Sequence, residues 1–251
     1  MENLSASPCS NPELGLEEAL EAYAGLGYKK FEVFTGWAKS AFDIHEDPGS
    51  YRELGKKYSL TFSSLHLPPV QPDLGDSLQE AITGMEFARA IGAPIALFKA
   101  ADRPTYIKAA GPFLDATEQT GVIPVLQNHF GTPITTLEDF KEVTGGINDR
   151  RMKTLLEVGH FEKAGIPWQK GYDLLKGSIA LVHLKDMQDK EPVPFGTGTV
   201  DFTEIFETMD KEGYTGDYVV EMEVCRDDTE KTLQYLKEAR EHLVSLTKGV
   251  A

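Results

Sequence analysis

The feature that most constrains this chain is a rhythm. Short apolar runs alternate with helix-period segments eight times, at a spacing of roughly 30 residues, which is the spacing of βαβ units. The apolar runs span 4–9, 28–34, 60–66, 94–99, 122–128, 152–158, 178–186 and 217–224. The run at 178–186 is the clearest: aliphatic and β-branched up to its polar end, it reads as a fully buried strand of a parallel sheet. Helices are expected over 16–26, 47–58, 74–91, 104–120, 136–146, 168–175, 202–212 and 228–246; in the first, Leu16, Leu20, Tyr23 and Leu26 recur at helical spacing. Thr136 with Asp139 three residues on is a capping signal for the fifth helix. Eight such units in 251 residues predict a single (β/α)8 TIM barrel, α/β in class, with one domain over 1–251. The alternative is an open doubly wound sheet. No G-x-G-x-x-G follows the first run and no G-x-x-x-x-G-K-[ST] occurs anywhere, which removes its usual nucleotide-binding form.

Charge and cysteine content narrow the partners. A formal charge of −15 repels phosphate backbones and anionic lipid, so neither nucleic acid nor a membrane is an expected partner. No apolar stretch approaches the ~18 residues of a membrane span, and 1–5 lacks the basic and apolar regions of a signal peptide. The expectation is a soluble cytoplasmic protein, with Cys9 and Cys225 as reduced thiols brought near each other by barrel closure. A homodimer through the outer helices is compatible with the prevalence of symmetric pairs.

Several apolar runs end on polar side chains. The fifth run ends at Gln127 and His129, the sixth at Glu157 and His160, the seventh at His183 and Lys185, the eighth at Glu221 and Glu223. In a barrel the carboxyl ends of consecutive strands share one rim, so these groups converge without being close in sequence. Gln, Glu, His and Glu, one per strand, are oxygen and nitrogen donors suited to a divalent cation such as Mn²⁺, Mg²⁺, Co²⁺ or Zn²⁺. Paired thiolates are lacking, which argues against a structural zinc site. The competing explanation is a set of unrelated strand ends packed as salt bridges. The Gly-rich segment 195–199 has no following Lys and reads as a flexible active-site loop in preference to a phosphate grip. His45, Arg103 and Arg226 read as solvated loop groups.

The order of these motifs resembles the xylose-isomerase-like superfamily of sugar phosphate isomerases, epimerases and inosose dehydratase-like lyases. The resemblance is carried by Leu16-Glu17-Glu18-Ala19-Leu20, Gly27-Tyr28 and Glu32, then by Ser64-Leu65-His66-Leu67-Pro68 and Asn128-His129-Phe130-Gly131-Thr132. It continues through Glu157-Val158-Gly159-His160, His183-Leu184-Lys185-Asp186, Gly196-Thr197-Gly198-Thr199-Val200-Asp201-Phe202 and Gly213-Tyr214-Thr215-Gly216.

The resemblance implies one divalent metal ion held by Gln127, Glu157, His183 and Glu221, with Glu223 as the second choice on the eighth strand. It implies a small sugar or polyol substrate bound by His66, Glu32, Trp37 and His129. Glu221 is then the candidate base, and His160 and Lys185 the candidate proton donors or oxyanion stabilisers; Trp37 or Phe34 supplies an apolar wall. The implied reaction is proton abstraction next to a carbonyl through an enediolate, giving isomerisation. The alternatives are a dehydratase acting on an inosose or dehydroshikimate-like substrate, and a non-catalytic sugar-binding relative. Two positions depart from the family pattern. Glu157 stands where Asp is usual, and Gln127 stands where many isomerases and epimerases have Glu; a Gln carbonyl can ligate a hard cation but cannot accept a proton from carbon. One superfamily branch comprises metal-dependent apurinic endonucleases. Six His and the acidic balance argue against that activity here.

Overall fold

The computed structural model describes residues 2–225 and 227–247; Arg226 lies outside the described residues. Eight parallel strands close into a barrel: β1 Leu4–Ala6, β2 Lys30–Phe34, β3 Thr61–His66, β4 Ile95–Leu97, β5 Ile123–Gln127, β6 Lys153–Glu157, β7 Ile179–Leu184 and β8 Tyr218–Val220. Closure is through β1, in which Ser5 stands beside Lys30 of β2 on one side and Val219 of β8 on the other. The outer layer is α1 Leu16–Gly25, α2 Pro48–Tyr58, α3 Gly75–Ile91, α4 Arg103–Thr117, α5 Leu137–Ile147, α6 Val158–Lys163, α7 Trp168–Leu175, α8 Phe202–Lys211 and α9 Thr229–Thr247.

Local chemistry sets the helix limits. Asp47, Asp102 and Asp201 cap α2, α4 and α8 by accepting a backbone N–H of the first turn. At α5, Asp139 N donates to Thr136 Oγ1 at 3.2 Å and Thr136 N donates to Asp139 Oδ2 at 2.8 Å, the reciprocal pair that the spacing predicted. Gly92 ends α3 in a left-handed conformation.

The alternating pleat of each strand divides the core in two. Outward residues such as Phe31, Val33, Leu126, Leu156, Val182 and Val220 pack against the helices. Inward residues Ile95, Leu97, Val125, Leu155, Leu181 and Val219 form a separate apolar plug inside the barrel. Each fully buried side chain of this size contributes about 1.5–3 kcal/mol of transfer free energy, so the plug is a floor and not a pore.

Some strands are shorter than the apolar runs. β1 stops at Ala6 because Pro8 opens a 3-10 turn over Pro8–Ser10. β8 stops at Val220, and the chain beyond it is held by Met222 N donating to Ser10 Oγ at 2.8 Å. Helix α6 and a small hairpin, Met187–Gln188 with Glu191–Pro192, have no counterpart in the sequence reading. Both cysteines are free. No helix among the described residues is long and apolar enough to cross a membrane.

Candidate functional site

Above the plug, one more step of two residues carries each inward face to the rim: Leu97 to Lys99, Val125 to Gln127, Leu155 to Glu157, Leu181 to His183 and Val219 to Glu221. The cavity above them has a volume of about 580 Å³. One wall is apolar, built from Phe34, Trp37, Leu67 and Pro68; the other carries Gln127, His160, Lys185 and Glu221.

His183 is the centre. It is fully buried, and Glu157 faces it directly across the β6–β7 register. Its Nδ1 lies 2.9 Å from Glu157 Oε2 and 3.1 Å from Glu221 Oε1, and its Nε2 lies 3.0 Å from Glu32 Oε1. Burial alone would lower the imidazole pKa; Glu32 and Glu221 override it and raise it well above the ordinary value. Gln127 Nε2 donates to Glu157 Oε2 at 3.3 Å. Asn128 fixes the Glu157 backbone from both sides, donating to its carbonyl at 3.0 Å and accepting its N–H at 3.2 Å.

Lys185 forms the edge of this group. Its Nζ is 2.9 Å from Glu221 Oε2 and also bonds Glu223. Burial would raise the Glu221 carboxyl, but the Lys185 ammonium and then His183 pull it well below the ordinary carboxylate value, so Glu221 is ionised. Gly159 gives Lys185 its room, since a Cβ there would fall 2.6 Å from the Lys185 Cβ. His160 stacks on His129 with ring centroids 3.7 Å apart, and burial together with the Lys185 charge keeps it neutral.

A second arm runs from His183 toward β4. Glu32 Oε1 accepts from Ser64 Oγ at 2.9 Å and lies 3.0 Å from His66 Nε2, while Lys99 Nζ donates to His66 Nδ1 at 2.7 Å. Burial would raise the Glu32 carboxyl, yet His183 and His66 hold it below the ordinary range. Desolvation, then the Lys99 charge, lowers His66 to about 4.

The donor set suits a divalent ion. The ligand atoms of Glu157, His183 and Glu221 all lie within 4.8 Å of one another. Neither His183 nitrogen, nor Glu157 Oε1, makes a directed hydrogen bond among the described residues, although all are buried. Four carboxylates, on Glu32, Glu157, Glu221 and Glu223, face two ammonium groups, on Lys99 and Lys185, and the His183 imidazole, which its raised pKa leaves protonated. An ion that displaced the His183 proton would find two negative charges to balance. Glu157 registers the deficit: burial and then Glu221 push its carboxyl above the ordinary value. Gln127 presents its amide nitrogen to Glu157, and a half-turn of the amide would present the carbonyl instead.

Of the residues named from the sequence, Gln127, Glu157, His183, Glu221, Lys185, His160, His129, His66 and Trp37 meet at this end of the barrel. Glu32 differs from its expected place facing substrate. It is completely buried, outside the cavity lining, with His66 Nε2 and His183 Nε2 each 3.0 Å from its Oε1. Trp37 stands at the mouth, 67% exposed and with a left-handed φ of +72°, its ring 5.8 Å from that of Phe34. Lys99 was not among the named residues; its signal was its position in phase with the inward face at the end of the fourth run. His45, in a loop, pairs with Glu80, and Arg103, expected in a loop, opens α4 and pairs with Asp139 and Glu142.

The Gly-rich segment is not a loose loop. Asp186 is buried and accepts from the backbone N–H groups of Met187, Gly196, Gly198 and Val200 at 2.9, 2.8, 2.9 and 3.3 Å. Gly198 is required by this contact, since a Cβ there would lie 2.2 Å from Asp186 Oδ1.

Comparison with known proteins agrees with this architecture. A family model described as xylose isomerase-like TIM barrel matches residues 20–245. L-ribulose-5-phosphate 3-epimerase UlaE of Escherichia coli is 48% identical over 48 residues, 18% of this chain and 17% of that protein. Inosose dehydratase of Geobacillus thermodenitrificans is 27% identical over 128 residues, 43% of each chain. Both matches therefore span less than half of the relative. The structure of the IolI protein with a binding zinc atom superposes with a TM-score of 0.77 at 18% identity, covering 97% of this chain and 98% of that one, a likeness of fold. With barrel, rim and family model in agreement over nearly the whole chain, the protein belongs to the xylose isomerase-like TIM barrel family.

Proposed function

We propose that this protein is a divalent-metal-dependent isomerase of a sugar or keto-polyol, acting by proton abstraction next to a carbonyl. The observation that carries the reading is the convergence of Glu157, His183 Nδ1 and Glu221 beneath a cavity that is apolar on one side and charged on the other. Glu157, His183, Glu221 and Gln127 would hold the ion, with Glu32 beside the far nitrogen of His183, where a carboxylate sets the orientation of a ligating imidazole. When bound, the ion supplies positive charge for the oxygens on which negative charge develops. Glu221 is the base: it is ionised, lines the cavity and is fixed by Lys185 through its second oxygen. Lys185 and His160 face the substrate oxygens, and Trp37 and Phe34 cover the carbon face of the ring or chain.

Dehydration is the second reading. It is favoured by the longer of the two matches reported above, which is to inosose dehydratase, and by Gln127, which leaves Glu221 without an opposed ligating carboxylate. The test uses D-fructose, D-tagatose and an inosose with the Mn²⁺-loaded protein in deuterated water. Isomerisation, by rearrangement or by inversion, predicts deuterium at the carbon next to the carbonyl together with a rearranged or epimeric sugar. Loss of water identifies the lyase, and absence of exchange with all three compounds counts against both.

A further inference from the structure

We infer that Lys99 is the second proton-transfer group of this site, returning a proton to the substrate from the wall opposite Glu221. The inference rests on the proton-abstraction reading above.

Barrel order carries the geometry. Lys99 follows β4 and Glu221 follows β8, four strands apart in a closed ring of eight, so the two stand on opposite walls. Both line the same cavity. Between them, on β5, Gln127 has no proton to give to carbon and no basicity to take one.

The two lysines at the rim are held differently. Lys185 is pinned between Glu221 and Glu223, which raise its pKa well above the ordinary value against the lowering effect of burial. Lys99 forms no ion pair among the described residues; its Nζ donates to the neutral ring of His66 at 2.7 Å. The titratable groups that face it are His66 on β3, Glu32 on β2 and Glu221 just after β8. Desolvation outweighs the attraction of the two carboxylates and brings the ammonium down to about 8. An ammonium so placed gives up a proton readily near neutral pH, whereas Lys185 does not.

The step balances. The Glu221 carboxylate takes the hydrogen of the carbon next to the carbonyl as a proton, and the C–H electron pair enters the enediolate. That pair then forms a new C–H bond on the opposite face with a proton from the Lys99 ammonium. Glu221 is left as the acid and Lys99 as the free amine; one proton lost to water from Glu221 and one gained by Lys99 restore both. The product is the epimer.

The test compares the Mn²⁺-loaded wild type with Lys99→Met and Lys99→Arg on D-fructose, D-tagatose and an inosose in deuterated water. Two rates are read: deuterium entry into recovered substrate, which needs Glu221, and formation of the inverted product, which needs both groups. In Lys99→Met, inverted product should fall about 10²-fold or more while deuterium entry stays within about threefold, the range expected for loss of one proton-transfer group. Wild-type inversion should decline as pH rises through about 8, and Lys99→Arg, whose charge does not titrate there, should be slow without that decline. Far-UV circular dichroism of Lys99→Met should match the wild type, and the variant should still bind one Mn²⁺ per chain. Equal loss of both rates, or inversion unchanged in Lys99→Met, overturns the role of Lys99. A wild type that exchanges no deuterium overturns the abstraction reading itself, and Lys99 with it.

Discussion

Replacing Gln127 with Glu tests how the charge of this site is balanced. The Gln127 amide now donates to Glu157 Oε2 at 3.3 Å. A carboxylate in its place puts two negative charges about 4 Å apart, worth roughly 4 kcal/mol at an effective dielectric near 20, and loses a hydrogen bond of about 1 kcal/mol. Sharing a proton relieves part of this, and Glu157 is already displaced upward by burial and Glu221. The expected net penalty in chelator is about 2–4 kcal/mol at pH 8. The sign with pH follows from that upward displacement. A carboxyl pair that binds a proton more tightly when folded than when unfolded loses stability as pH rises, so the penalty shrinks toward pH 5. With saturating Mn²⁺ the added carboxylate faces a cation and the penalty should vanish. By linkage the variant then binds the ion about 10²-fold more tightly, a factor of ten for each ~1.4 kcal/mol. Urea denaturation of both proteins at pH 5 and pH 8, in chelator and in Mn²⁺, reads all of this. Equal destabilisation with and without the ion, or no pH dependence in chelator, would refute the reasoning.

Three further outcomes follow from the packing. Asp186→Ala removes the acceptor of four backbone N–H groups, one buried and three partly buried, and should destabilise the protein by about 2–4 kcal/mol, with faster hydrogen exchange at Gly196 and Gly198; retained protection would show that the segment is held by something else. Gly159→Ala should cost about 1–3 kcal/mol by overpacking against Lys185 and lower activity more than stability alone explains, both measurable on one preparation. Trp37→Ala, at an exposed position, should leave urea stability within about 0.5 kcal/mol while raising KM roughly tenfold if the ring covers substrate.

The strand–helix rhythm made the barrel legible, because strands covered on both faces must be apolar and the helices between them must be amphipathic. The rim was legible for the same reason. Gln127, Glu157, His183 and Glu221 each lie two residues beyond an inward apolar residue, so polarity marks where the plug ends. What stayed hidden depends on contacts remote in sequence. The burial of Glu32 follows from its two partners, His66 on β3 and His183 on β7, which lie 34 and 151 residues away in the chain. Helix α6 begins directly after Glu157, which accepts no side-chain capping bond, so no start signal precedes it. Asp186 organises the Gly-rich segment through amides ten to fourteen residues away, a link that no local pattern in the sequence marks. Lys99 is a strand-end lysine with no motif around it, and only barrel closure sets it across from Glu221.

The most direct test of the central claim is a Mn²⁺ titration of chelator-stripped wild type and His183→Ala, read by electron paramagnetic resonance of the free ion. The account predicts one ion per wild-type chain and loss of most of that affinity in His183→Ala, with the far-UV circular dichroism of the barrel retained because the floor of the barrel is untouched. Stoichiometric Mn²⁺ at unchanged affinity in His183→Ala would contradict it.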